Sequence, residues 1–134
     1  MSRALFVLLL LLLPAGCGGG SSNSLSSSAP TALSITIWPK GTPDKSISYT
    51  LNCPEGTGSL PKARAACSKL KQLGASAFKP VPKGAACTEI YGGPQTAIVS
   101  GRLAGKPLSA GFERTNGCEI ARWEQLAFLF PFTS

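Results

Sequence analysis

Alternation of apolar and polar residues predicts two strands near the start of the chain. Residues 33–38 alternate Leu or Ile with Ser, Thr or Trp, and Pro39 ends the run. Residues 46–51 repeat the pattern with Ile, Tyr and Leu, after a turn at residues 41–44. A period of two is typical of a strand with one buried face, so the two runs predict paired strands.

The spacing of apolar residues after the second strand predicts a helix. We expect Ser59 to cap a helix that begins near Pro61 and ends at Gly74, with an apolar face made by Leu60, Ala63, Cys67, Leu70 and Leu73. A second short helix near the C-terminus is predicted from the spacing of Ile120, Trp123, Leu126 and Ala127.

Three further strands complete the pattern. Residues 97–103 and 108–114 predict a hairpin about residues 104–106, and residues 128–130 predict a last strand. The order β-β-α-β-β-α-β favours an α+β fold with an antiparallel sheet.

Composition limits the chemistry of the chain. It has 134 residues with 13 Lys and Arg, 6 Asp and Glu, and no His. Without His, Ser-His-Asp and Cys-His nucleophiles are excluded, and so are histidine zinc sites. We therefore expect no enzyme, no metal and no cofactor. The densest basic run, residues 62–71, lies on a predicted helix without interleaved aromatic residues, so we expect no nucleic-acid partner.

The N-terminal residues predict export. Residues 4–13 are apolar and follow Ser-Arg, but they are fewer than the roughly 20 that cross a bilayer. Residues 13–17 read Leu-Pro-Ala-Gly-Cys and resemble the lipobox of bacterial lipoproteins. This resemblance implies a signal at residues 1–16, a lipidated Cys17 and a protein anchored on the extracytoplasmic side of the membrane. The alternative is an ordinary secretory signal and a secreted protein.

The remaining chain divides into a tether and a domain. Residues 17–30 are rich in Gly and Ser, a composition typical of a flexible tether, so we predict a domain at residues 31–134. Four cysteines remain in that domain, and an even number in an exported chain predicts two disulfides with three possible pairings. Local pairing of Cys53 with Cys67 and of Cys87 with Cys118 would add about 3–4 kcal/mol for each bridge.

Four cysteine-centred motifs carry a resemblance to a known family. They are Leu-Asn-Cys-Pro at 51–54, Ala-Ala-Cys at 65–67, Cys-Thr-Glu-Ile-Tyr-Gly-Gly-Pro-Gln-Thr at 87–96 and Thr-Asn-Gly-Cys-Glu at 115–119. Together they resemble the bacterial subtilisin inhibitor-like family, exported inhibitors of serine proteases. The resemblance implies a five-stranded antiparallel sheet with two helices, the two local disulfides and a homodimer through the sheet face.

The same resemblance implies a reactive loop within the irregular, Pro- and Gly-rich residues 78–95. The scissile bond would be Glu89–Ile90, and Asn116 would hydrogen-bond the loop from behind. The residues implied to contact a protease are Cys87, Thr88, Glu89, Ile90 and Tyr91. The implied partner is a serine endopeptidase, which would bind the loop as it binds a substrate.

Several interpretations stay open at this point. Subtilisin favours apolar residues where Glu89 would be offered, so the target would be a protease that accepts acidic residues. Alternatively, the chain is a non-inhibitory lipoprotein interaction domain that keeps the fold. Tyr91 is read equally well as a protease contact or as a plug in the core, and Asn116 as a residue of a simple turn.

Overall fold

A computed structural model describes residues 29–132. The fold is α+β, with one antiparallel sheet in the order β2-β1-β3-β4. The strands are β1 Thr31–Trp38, β2 Ile47–Cys53, β3 Thr96–Leu103 and β4 Lys106–Phe112. The helices are α1 Ala63–Leu73 and α2 Gly117–Gln125, with short 3₁₀ helices at Ala75–Phe78 and Ala127–Leu129. The predicted export signal, Cys17 and residues 18–28 of the predicted tether lie outside the described residues.

The strands form where alternation predicts them. Leu33, Ile35 and Ile37 of β1 are buried on one face, and Val99 of β3 packs beside Ile35 in the antiparallel register. The predicted hairpin is confirmed, with its turn at residues 104–105 between β3 and β4. The opposite face of the sheet carries mainly Ser and Thr and is covered by no helix of the described chain.

Both predicted helices are present and cover the apolar face. Helix α1 begins at Ala63, two residues later than predicted, and it buries Ala66 and Leu70. Helix α2 buries Trp123, whose ring lies 4.6 Å from that of Phe130. The core is therefore a single layer between the sheet and the helices. No helix in the described part of the chain is long and apolar enough to cross a bilayer.

The prediction of a fifth strand is wrong, because the sheet has four strands. A strand at residues 128–130 would bury alternate side chains, but Leu126, Leu129 and Phe130 are the buried residues here. That spacing is helical, and the chain forms the 3₁₀ helix Ala127–Leu129 instead. Phe130 then packs on Phe112, with the ring centroids 5.2 Å apart, so the segment seals the core without joining the sheet.

Antiparallel pairing gives the domain two distinct ends. At one end, which we call the base, Thr31 of β1 pairs with Cys53, and the turn joins Leu103 to Lys106. At the other, which we call the loop end, Trp38 pairs with Thr96. Eight residues of β1 separate the two ends, about 25 Å at roughly 3.3 Å per residue. The chain enters the domain at the base.

Candidate functional site

The irregular loop at residues 79–95 is the candidate site. It has no helix or strand and leads into β3 at the loop end of the sheet. The predicted local pairing of cysteines is confirmed, with Cys53 bonded to Cys67 and Cys87 to Cys118. The second bond fastens the loop to α2 with its two Cα atoms 5.4 Å apart. Such a bond removes most of the freedom of the loop around Cys87.

A backbone hydrogen bond fixes the residue that follows Cys87. The N–H of Gly117 donates to the carbonyl of Thr88 at 2.9 Å. Gly117 is the first residue of α2, where the N–H groups have no partner inside the helix and are free to hold another segment. A Cβ atom at Gly117 would overlap Thr88 Oγ1, so only glycine lets the loop lie this close to the helix.

A second anchor lies at Gly92. Its N–H donates to the carbonyl of Arg114 at 2.7 Å, and Arg114 Nε donates back to the carbonyl of Gly92 at 3.1 Å. Arg114 is itself held by Glu124, at 2.8 Å, and lies 5.7 Å from the ring of Trp123. A Cβ atom at Gly92 would lie 2.9 Å from the side chain of Ile120, so this glycine is also seated tightly.

Three residues project between these two anchors. Glu89, Ile90 and Tyr91 are exposed, Ile90 by 58% and Tyr91 by 67% of their surface. None of the three takes part in the hydrogen bonds found within residues 29–132. The interpretation of Tyr91 as a plug in the core is therefore wrong. The segment offers unpaired backbone groups and apolar side chains to a partner, while both of its ends are fixed.

Asn116 lies beside this loop and caps α2. Its Oδ1 atom accepts a hydrogen bond from the N–H of Glu119 at 3.0 Å, so its side chain is the N-cap of the helix that follows the turn. Among the hydrogen bonds of the described residues, none joins the Asn116 side chain to the loop. Its support of the loop stays a prediction, and the geometry favours an indirect route through Gly117, which Asn116 positions at the start of α2.

Sequence reasoning missed three residues of this site, Gly92, Arg114 and Gly117. Gly117 had a usable signal, because a disulfide between Cys87 and Cys118 brings the neighbours of both cysteines together. Arg114 had none, since a single cation after a predicted strand is ordinary. Gly92 lies in the motif at residues 87–96, but its close approach to α2 depends on the tertiary structure and has no signal in the sequence.

The site has the features of a binding loop. Within residues 29–132, no group of three or more His, Cys, Asp or Glu side chains is arranged to hold a metal ion. The Glu89 carboxylate is exposed and belongs to neither of the two ion pairs of the described chain, which are Arg114–Glu124 and Arg122–Glu119. The carboxylate is thus free to enter a complementary pocket of another molecule.

Comparison with known proteins identifies the fold. No family model and no curated protein matches the chain. Among solved structures, the chain is similar to sermetstatin from Streptomyces caespitosus, solved in complex with subtilisin from Bacillus licheniformis. The TM-score is 0.52 at 20% sequence identity, over 78% of this chain and 100% of sermetstatin. This likeness agrees with the family that the cysteine motifs resemble, and the chain therefore has a subtilisin inhibitor-like fold.

Proposed function

We propose that the protein inhibits serine endopeptidases outside the cytoplasm by offering residues 87–91 as a substrate-like loop with the scissile bond Glu89–Ile90. One observation carries the proposal: Glu89, Ile90 and Tyr91 are exposed and unpaired between anchors at Thr88 and Gly92. The likeness to sermetstatin, a protein that binds subtilisin, supports the same function.

Preorganisation accounts for tight binding. A peptide that docks on a protease as an extended strand loses freedom, at about 0.5–1.5 kcal/mol for each immobilised side chain. In this chain the Cys87–Cys118 bond and the Gly117–Thr88 hydrogen bond have already removed much of that freedom. The free backbone groups of Glu89 and Tyr91 can then pair with the enzyme at little further entropic cost.

The same anchors oppose release after cleavage. If the bond between Glu89 and Ile90 is cut, the new C-terminus stays tied to α2 through Thr88, and the new N-terminus stays tied through Gly92. Both ends remain next to each other in the active site, which favours resynthesis of the bond over departure of the product. The inhibitor contributes no catalytic group of its own to this mechanism.

Glu89 determines which protease is inhibited. Burial of an unpaired carboxylate in an apolar specificity pocket costs several kcal/mol, so we expect weak inhibition of subtilisin. A protease with a basic pocket would pair the carboxylate instead. The proposed target is therefore a serine endopeptidase that accepts acidic residues, such as a glutamyl endopeptidase.

The test is inhibition of four enzymes by the purified protein: subtilisin, trypsin, chymotrypsin and a glutamyl endopeptidase. We expect the tightest inhibition for the glutamyl endopeptidase, with intact mass spectra that show the Glu89–Ile90 bond mostly uncut. Absence of inhibition across the set, in protein with both disulfides formed, would contradict the proposal.

Glu89 also favours a second candidate function. A fold that retains both disulfides but carries an acidic residue at the reactive bond fits a non-inhibitory interaction domain of the cell envelope. In that case the loop would be cut at Glu89–Ile90 without inhibition, or it would be ignored by all four enzymes.

Location and assembly complete the proposal. Two disulfides fit an oxidising compartment, and the signal at residues 1–16 with a lipidated Cys17 would anchor the protein on the extracytoplasmic side.

We also propose a homodimer through the uncovered sheet face, where Ile98 is 45% exposed beside Thr36 in the register. Sedimentation velocity should show twice the monomer mass, and Ile98→Lys should return the protein to the monomer.

A further inference from the structure

A cationic groove lies at the base of the domain, opposite the reactive loop. One wall is the face of α1 that carries Arg64, Cys67 and Lys71, and the other is the lower end of the sheet at Thr31 and residues 103–106. Leu70, Leu103 and the Cys53–Cys67 bond make its floor apolar. Arg64, Lys71 and Lys106 form the charged rim, and no acidic residue lines the groove.

The neighbourhood adds positive charge to this groove. Arg102, on the adjacent strand β3, donates to the carbonyl of Gly105 in the turn and is exposed. Glu55 follows Cys53 and Pro54 after β2 and is the acidic residue nearest in sequence to the residues that line the groove. The two ion pairs of the described chain both involve α2, at Glu119 and Glu124, so neither neutralises a cation of the groove.

The acidic residues are concentrated away from the base. Asp44 lies in the turn after β1, Glu89 in the loop and Glu113 just after β4, all toward the loop end of the sheet. The domain therefore has a strongly basic end and a nearly balanced end. A separation of charge over about 25 Å exceeds the Debye length of roughly 8–10 Å, so a charged surface at the base would attract that end selectively.

We propose that the base docks on the surface of an anionic phospholipid bilayer. The chain enters the domain at Thr31, in one wall of the groove, so a membrane anchor upstream would keep this face within reach of the bilayer. Lys and Arg side chains place their charge at the phosphates while their stems cover apolar surface, and the apolar floor of the groove suits that arrangement. Docking at the base points residues 87–91 away from the membrane.

A lipid anchor and a basic patch would have different effects. The acyl chains of a lipidated Cys17 would hold the protein at the bilayer, and the basic patch would determine which face of the domain lies against the lipid headgroups. Each basic residue near an anionic surface strengthens binding about fivefold, which corresponds to about 1 kcal/mol. Three rim cations would then account for a factor on the order of 100 in the partition constant.

The test uses the Cys17→Ser protein as exported and purified, with both disulfides formed and its N-terminus read by mass, so that no acyl chain contributes. Its binding to vesicles of phosphatidylcholine with phosphatidylglycerol is measured by sedimentation, against vesicles of phosphatidylcholine alone. The basal variant is Arg64→Gln with Lys71→Gln and Lys106→Gln. The matched control removes three exposed cations at the loop end, by Lys40→Gln, Lys45→Gln and Lys79→Gln.

We expect binding to the anionic vesicles alone, abolished by about 0.5 M salt. The basal variant should lose it by on the order of 100-fold, while the control, with the same net charge, loses less than about threefold. An equal loss in the two variants would overturn the proposal, as would binding to both kinds of vesicle. Full competition by soluble glycerol phosphate would also overturn it, because the ligand would then be a single phosphate and not a surface. These outcomes are independent of protease inhibition.

Discussion

The two disulfides of this domain have similar geometry and hold very different structures. Their Cα atoms are 5.6 Å apart in Cys53–Cys67 and 5.4 Å apart in Cys87–Cys118. The first joins β2 to α1, and both elements also pack in the core through Leu51 and Leu70. The second joins α2 to a loop whose adjacent side chains are exposed. The first bond thus reinforces contacts that the core already makes, whereas the second holds in place a loop that has no buried side chains in the core.

Removal of the loop disulfide should have the largest effect on function. In the variant with Cys87→Ser and Cys118→Ser, the chain-entropy model predicts a loss of about 4 kcal/mol in unfolding free energy. The freed loop should also bind its protease about 100-fold more weakly, because three or more side chains must now be ordered on binding. Inhibition and intact mass are measured at low temperature. We expect the intact mass of this variant to show rapid cleavage at Glu89–Ile90.

The other disulfide is the matched control for that variant. Replacement of Cys53 and Cys67 by Ser should cost a similar free energy, about 3 kcal/mol, since the loop that it closes is somewhat shorter. The folded fraction should nevertheless inhibit as before, because both cysteines lie at the base, at the opposite end of the domain from the loop. Equal loss of inhibition in the two double variants would show that the division between a core bond and a loop bond is wrong.

Glu89→Leu changes the side chain that the loop offers to a protease and leaves the disulfide and the hydrogen bonds that hold the loop unchanged. Loss of an unpaired buried carboxylate should strengthen inhibition of subtilisin about 30-fold, or about 2 kcal/mol. Inhibition of a glutamyl endopeptidase should weaken in the same variant. Glu55→Leu, an exposed acidic residue at the base, is the control and should change neither inhibition constant. An unchanged constant for subtilisin in Glu89→Leu would show that Glu89 does not enter its pocket.

Gly117→Ala tests the hydrogen bond that assists the loop disulfide. The added Cβ would overlap Thr88 Oγ1 and push the loop away from α2. Overpacking of this kind costs about 1–3 kcal/mol, so inhibition should weaken roughly tenfold while the disulfide stays formed. Gly111→Ala is the control, because its Cβ would meet nothing within 4 Å. A variant that inhibits as well as Gly111→Ala would show that the disulfide alone fixes the loop.

The sequence predicts the parts of this fold that are determined locally. Alternation in residues 33–38 leads to β1, because a half-buried strand needs exactly that period, and the spaced cysteines lead to both disulfides once the family motifs are considered. The sequence of residues 128–130 predicts a strand wrongly, because three apolar residues in a row fit a strand or a buried turn equally well. The burial of Leu126 together with Leu129 and Phe130 shows the helical spacing.

The loop anchors show a different limit of sequence reasoning. Cys87 and Thr88 could be assigned from a motif, whereas the bond between Gly92 and Arg114 joins residues 22 positions apart and depends on how β4 leads into α2. No local preference requires an arginine there. The disulfide that holds the loop is thus readable in the sequence, whereas the contact between Gly92 and Arg114 that braces its other end is found only in the structure.

Variants of the turn at the base should have the smallest effect, and they test most strictly whether the base and the loop end are independent. Ala104 has φ 49° and Gly105 has φ 77°, the left-handed conformation that favours Asn-Gly in a two-residue hairpin. Ala104→Asn should therefore raise the free energy of unfolding by up to about 1 kcal/mol, since alanine is strained in this region. Its backbone N–H can keep its bond to Thr31 Oγ1, which is 2.9 Å long. Urea unfolding measures the gain, and Gly105→Ala should produce a loss. Because the turn is a strand length away from residues 87–91, inhibition should stay within about twofold in both variants, and a larger change would mean that the base and the loop end are coupled through the sheet.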